Sequence, residues 1–149
     1  MGEVGFFGGF LFDGQTWTEV DIDDVVAPGG GPWLHVDIHD SDFAAVTYRP
    51  AGPGTGVAFL GFTPRVYFEN PAASPPTDVH REAAGLAAWW AARRDAVTGA
   101  DLAAKAAAVL LYLAKDDEDD EPADDSPFVE DKTDRFLTAL GLPPFQPPA

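Results

Sequence analysis

Leu34, Val36 and Ile38 alternate along the chain with His35, Asp37 and His39. A period of two is that of a strand, whose successive side chains point to opposite faces, so residues 33–39 predict a strand with one apolar and one polar side. Residues 4–12 and 16–22 are further β-rich runs joined by Asp13-Gly14, a hairpin signal, although Gly5, Gly8 and Gly9 weaken the first. Past the break at Gly29-Gly30-Gly31-Pro32, a turn at Asp40-Ser41 leads from strand 33–39 to a partner over 43–48. A Gly/Pro loop over 50–56 then leads to a run over 57–62, and Thr63-Pro64 turns the chain into a sixth short run over 65–69.

Beyond the prolines of 71–76 the period changes to that of a helix. Thr77 is the expected cap of a first helix, with Val79, Ala83, Leu86, Trp90 and Val97 on its apolar stripe and Trp89 at the margin. Thr98 and Asp101 have the spacing of a capping box, in which each end group answers the other's unpaired backbone N–H. They open a second helix carrying Leu102, Ala106, Val109, Leu110 and Leu113. Ser126-Pro127 supplies a cap and a first-turn proline for a third, whose stripe is Val129, Thr133, Phe136, Leu137 and Leu140, closed by Gly141. Strands followed by helices argue for an α+β fold over an alternating nucleotide-binding one: a mainly antiparallel N-terminal sheet of about six strands, wet on one face, with three C-terminal helices packed on the other. The expected organisation is one domain over 1–149, with a strand-rich half (1–70), a helical half (77–141) and a flexible acidic loop over 116–126.

Charge adds a second pattern. The 149 residues carry a net charge of −16, and the regions 1–48, 49–115 and 116–149 contribute −9, +2 and −9. Residues 1–48 contain nine acids and no lysine or arginine. General salt adaptation would make the whole surface acidic, which the near-neutral middle opposes. A strongly negative chain repels nucleic acid and anionic membranes and is steered towards a basic protein. The absence of cysteine removes disulfides, thiolate metal sites and cysteine nucleophiles, and favours a reducing cytoplasm. Met1-Gly2-Glu3 has no basic leader region, and the longest apolar run, 106–114, falls short of the ~20 residues of a membrane span.

Eight of the ten residues 116–125 are acidic, as expected of a solvated loop. An EF-hand is excluded there by the lack of the glycine that such a calcium loop requires. The N-terminal acids are more informative because strands fix directions. Asp21, Asp23, Asp24, Asp37, Asp40 and Asp42 fall at predicted strand ends or on the polar face, with Trp33 as a candidate anchor and His39 beside them. Charge sets encounter rate and register, and large aromatics supply binding energy at an interface core.

His35, Asp37 and His39 are also the residue types of a two-histidine, one-carboxylate metal site. Residues four apart on a strand lie roughly 13 Å apart, too far for both histidines to reach one ion at bonds of about 2 Å. A mononuclear metal enzyme would need either histidine with Asp37 and a third ligand such as His80. Other chemistry is absent: Gly52-Pro53-Gly54-Thr55-Gly56 lacks the lysine and the following helix of a phosphate loop, and Ser41 lacks nucleophile-elbow glycines. Arg65, Arg93 and Arg94 are the cations placed to answer internal acids, the last two at the negative end of the first helix.

In overall build the chain resembles the small acidic immunity proteins of bacterial polymorphic toxin systems. The resemblance rests on the acid-only strand region with Trp33 to Asp37, the Gly61-Phe62-Thr63-Pro64-Arg65 turn and the acidic stretch 116–125. It implies an α+β inhibitory protein, without catalysis or cofactor, that forms a stoichiometric complex with a basic toxin. The expectation is therefore an inhibitor that occludes a basic, nucleic-acid-directed enzyme. The alternatives are the metal enzyme on the His35/Asp37/His39 strand or a non-catalytic scaffold domain.

Overall fold

In the computed structural model, residues 8–13, 16–20, 32–39, 43–92, 94, 96–114 and 129–142 are described. The fold is α+β. Strands β1 (Gly8–Phe12), β2 (Trp17–Glu19), β3 (Trp33–His39), β4 (Phe43–Arg49) and β5 (Val57–Leu60) form one five-stranded antiparallel sheet in the order β2-β1-β3-β4-β5. Asp13 closes the β1–β2 hairpin: its side chain accepts from the Thr16 N–H at 3.0 Å and its own N–H donates to the Thr16 carbonyl at 3.3 Å.

The register places Phe10 and Phe12 of β1, Leu34, Val36 and Ile38 of β3, Ala44, Val46 and Tyr48 of β4 and Ala58 and Leu60 of β5 on one face. All are buried, and helices α2 (Val79–Ala91), α3 (Gly99–Leu110) and α4 (Val129–Leu140) complete this core with Leu86, Trp89, Val109, Phe136, Leu137 and Leu140. Beyond α3 the chain bridges antiparallel from Leu113 to Leu60 at the outer edge of β5, and the Ala114 N–H donates to the Phe59 carbonyl at 2.7 Å.

The capping box of Thr98 and Asp101 is present, both bonds being 3.1 Å. Gly141 closes α4 at φ +89°, in the left-handed region where a side chain is disfavoured. The expected cap at Ser126-Pro127 and the acidic stretch 116–125 lie outside the described residues.

Three expectations are corrected. The sixth run is not a strand: Thr63 precedes a short helical turn α1 (Pro64–Tyr67) with Pro64 in its first turn, and Glu69 takes φ +51° as the chain leaves it. Pro64 lacks an N–H and has its φ fixed near the helical value, so the pair that looked like a turn starts a helix. The cap of α2 is Asp78, which accepts from the Arg81 N–H at 3.2 Å, not Thr77. The stripe of α2 runs through Val79, Glu82, Ala83, Leu86 and Trp89, so Trp89 is the fully buried indole, Trp90 is half-buried, and the helix ends before Val97. Glu82 diverts the sequence reading, because a carboxylate on a helix is ordinarily a solvent-facing position. The Trp89 indole N–H is shared at 3.0 Å between the carbonyls of Trp33 and Arg49, tying the helix to the paired ends of β3 and β4.

Candidate functional site

The face of the sheet away from α2, α3 and α4 carries the strand residues singled out by sequence. Trp33, His35, Asp37 and His39 share it, opposite Arg49, Thr47, Ala45 and Phe43 of β4. Trp33, Asp37 and His39 are half-buried, and Asp37 and His39 are engaged by partners. Trp33 and His39 stand at opposite ends of β3, six residues or roughly 20 Å apart, so they do not form one spot. Asp21, Asp23, Asp24, Asp40 and Asp42 lie outside the described residues.

This face is drier than its composition suggests, which corrects the expected wet side. His35 is fully buried, and its Nε2 donates to the Val20 carbonyl at 2.7 Å while Nδ1 has no hydrogen-bond partner among the described residues. Gly9 makes the arrangement fit: a Cβ there would meet the Val20 oxygen at 2.5 Å and the His35 ring at 2.9 Å. The glycine that weakens β1 in a propensity reading is the space into which the imidazole folds. His35 is thus committed to a backbone carbonyl. His80 is exposed on α2, across the sheet, and no group of three His, Cys, Asp or Glu side chains able to hold a metal ion occurs among the described residues.

What the fold gathers at the His39 end is a cluster of rings. Phe43, directly opposite His39, stacks on it with centroids 5.0 Å apart and planes at 27°. Tyr67 and Phe68, delivered by α1, each lie 5.6 Å from His39, edge to face, and meet one another at 4.9 Å and 89°. Phe62 joins through Tyr67 at 6.1 Å. Phe43 is buried beneath, whereas Phe68 is 51% and Phe62 46% exposed. Sequence reasoning missed this cluster because it took residues 65–69 for a strand. Its signal was Thr63-Pro64 as a helix start, which would have put Tyr67 and Phe68 on a turn folding back over the sheet.

Two further polar clusters were not foreseen. Glu82, buried in α2, accepts from the Tyr48 hydroxyl at 2.6 Å, from the Thr55 N–H at 3.0 and 3.1 Å and from the Thr55 hydroxyl at 3.0 Å. Burial, followed by the hydrogen bond and the charge of Glu82, holds the Tyr48 phenol well above its ordinary value. A Cβ on Gly54 or Gly85 would overlap the Tyr48 hydroxyl, so both glycines are needed for the loop 50–56 to seat on α2. With both carboxylate oxygens engaged by Tyr48 and Thr55, this cluster clasps the loop 50–56 to α2.

At the other end of α2, the Arg94 guanidinium and the Lys105 ammonium lie 5.0 and 4.6 Å from the Trp90 ring centroid, and Lys105 Nζ donates to the Ala139 carbonyl at 2.9 Å. Burial, and secondarily Arg94, push the Lys105 amine below its usual value. The sequence puts Arg94 at the negative end of the first helix, but α2 ends at Ala91 with no basic residue in its last turn and the Arg94 guanidinium lies over Trp90 instead, while Arg93 lies outside the described residues. An open groove of about 370 Å³ between α4 and the turn that follows α3 is lined by Tyr112, Asp134, Arg135, Thr138 and Ala139.

Comparison with protein-family models, with curated proteins and with solved structures finds no match. No helix among the described residues is long and apolar enough to cross a membrane.

Proposed function

We propose that this chain is an inhibitory binding protein, of the kind immunity proteins represent, that covers the cationic cleft of a basic, nucleic-acid-directed enzyme. An enzyme of that kind presents positive groups to phosphates, so an acidic body bearing aromatic anchors competes for the same groups and excludes the substrate. The observation that carries the reading is the combination of a −16 chain, acid-only over 1–48, with a half-exposed ring cluster at one end of the sheet. Charge would govern encounter and the rings would hold the complex. Of the aspartates assigned to steering, Asp37 is on the outer sheet face, and the same role is proposed for Asp21, Asp23, Asp24, Asp40 and Asp42 on the sequence alone. Trp33 lies at the far end of that face and is a second anchor.

The test is capture from native lysate at low salt, identification of the captured chain, and assay of that enzyme on nucleic acid with and without the protein. Stoichiometric inhibition is expected. Recovery of no basic partner, or full activity of the captured enzyme in saturating protein, would rule the reading out.

A further inference from the structure

The ring cluster at the His39 end has a geometry that an ordinary apolar patch lacks. Phe68 is half-exposed, yet its ring is fixed by near-perpendicular contacts with Tyr67 at 89° and Phe43 at 88° and by His39 at 73°. A ring already held in place loses little conformational freedom when something lands on it, so binding energy is not spent on ordering it. Its electron-rich face is a partner for a cation.

The charges around it select the occupant. Glu69, exposed, follows Phe68 directly, and the chain as a whole carries −16. Arg65, the base of α1, is half-buried and already engaged. A second copy, an anionic membrane and a nucleic acid all bring negative charge to a −16 body and are opposed by it. The molecule shows the complementary chemistry at Trp90, over which Arg94 lies at 5.0 Å. Guanidinium is planar and weakly hydrated, so it stacks on rings more readily than ammonium does.

Resting on the inhibitory reading and giving it a location, we propose that the Phe62/Tyr67/Phe68 cluster with Glu69 is the docking site for an arginine side chain of a basic protein partner. The guanidinium lies on the Phe68 face with Glu69 at its rim, and Phe62 covers the aliphatic stem.

The test uses the full chain and a synthetic peptide alternating arginine and glycine, followed by titration calorimetry, with citrulline and lysine versions as controls. Phe68→Ala is expected to weaken the arginine peptide about three- to fivefold, and the Phe62→Ala/Phe68→Ala double variant about tenfold, as loss of cation–ring contacts predicts. Glu69→Gln should weaken it more than Asp134→Asn, an equal charge change on the helical side. The citrulline peptide should not bind and the lysine peptide should bind more weakly. These rings are exposed, and unchanged melting curves will show that the variants fold.

Equal affinity of all variants, equal binding of citrulline or lysine peptides, or an Asp134→Asn effect as large as that of Phe68→Ala would overturn the site. Capture of the basic enzyme by the double variant as efficiently as by the unaltered chain would overturn the site and leave the inhibitory role standing. Ring-dependent arginine binding with no inhibited enzyme would keep the site and end that role.

Discussion

Replacing Glu82 by glutamine tests whether the buried clasp joins the loop 50–56 to α2. The carboxylate receives three donors, the Tyr48 hydroxyl and the Thr55 N–H and hydroxyl, on two oxygens. An amide offers one acceptor oxygen, which suffices for Tyr48 and the Thr55 N–H, and the Thr55 hydroxyl can rotate to accept from the new NH₂. Every bond then survives, but each loses the assistance of the charge. Hydrogen bonds to charged groups contribute about 1.5–3 kcal/mol and neutral ones about 0.5–1.5 kcal/mol. Across three bonds, and after allowing for the relief of a buried charge, the expected loss is about 2 kcal/mol.

Glu82→Leu removes the side-chain acceptors, leaving the Thr55 N–H unanswered and the Tyr48 hydroxyl only the 3.4 Å contact to the backbone carbonyl of residue 82, for a loss of about 3–5 kcal/mol. Urea unfolding followed by tryptophan emission measures both, and about 2 kcal/mol corresponds to a fall of roughly 4–8 °C in Tm for a chain of this size. A cycle of Glu82→Leu with Tyr48→Phe should give a coupling of about 1–2 kcal/mol. A loss under about 0.5 kcal/mol for Glu82→Leu, or no coupling with Tyr48→Phe, would refute the claim that these groups act as one clasp.

The raised pKa of Tyr48 makes stability fall in alkali: above the ordinary tyrosine value of about 10 the unfolded phenol ionises while the folded one keeps its proton, so its contribution is present below that pH and lost above it, at about 1.4 kcal/mol per unit. Urea midpoints between neutral pH and strong alkali should show that slope, and Tyr48→Phe should reduce it. Gly9→Ala drives a methyl into the Val20 carbonyl and the His35 ring and should cost about 1–3 kcal/mol, read as a lower melting temperature. Thr98→Ala removes one half of the capping box of α3 and should cost about 1 kcal/mol by the same measurement.

Local signals were legible wherever their physics is local. The alternation of Leu34, Val36 and Ile38, the Asp13 hairpin, the Thr98–Asp101 box and the Gly141 terminus each depend on neighbours within a few residues, and each stands where the pattern puts it. Position 82 was illegible because its burial depends on Tyr48 and Thr55, 34 and 27 residues away, whose bonds turn a solvent-facing residue type into an interior one. His35 was misjudged for a similar reason: its dry setting needs the missing side chain of Gly9 on a neighbouring strand. The candidate surface was half legible. His39 was on the right face, but its companions Tyr67 and Phe68 arrive from a turn whose helical start was read as a strand, and Trp33 was grouped with a histidine at the other end of the same strand.

The bridge from Leu113 to Leu60, with the Ala114 N–H on the Phe59 carbonyl, occupies part of the rim that β5 would otherwise offer to a neighbouring molecule. A bare flank of backbone donors and acceptors is the usual nucleus for runaway sheet growth, and a chain that blocks its own flank protects itself against that fate. At the opposite rim β2 provides a template of three residues, Trp17–Glu19, short for sustained pairing. Together with mutual repulsion between copies carrying −16, this leaves the protein well defended against fibre formation at high concentration.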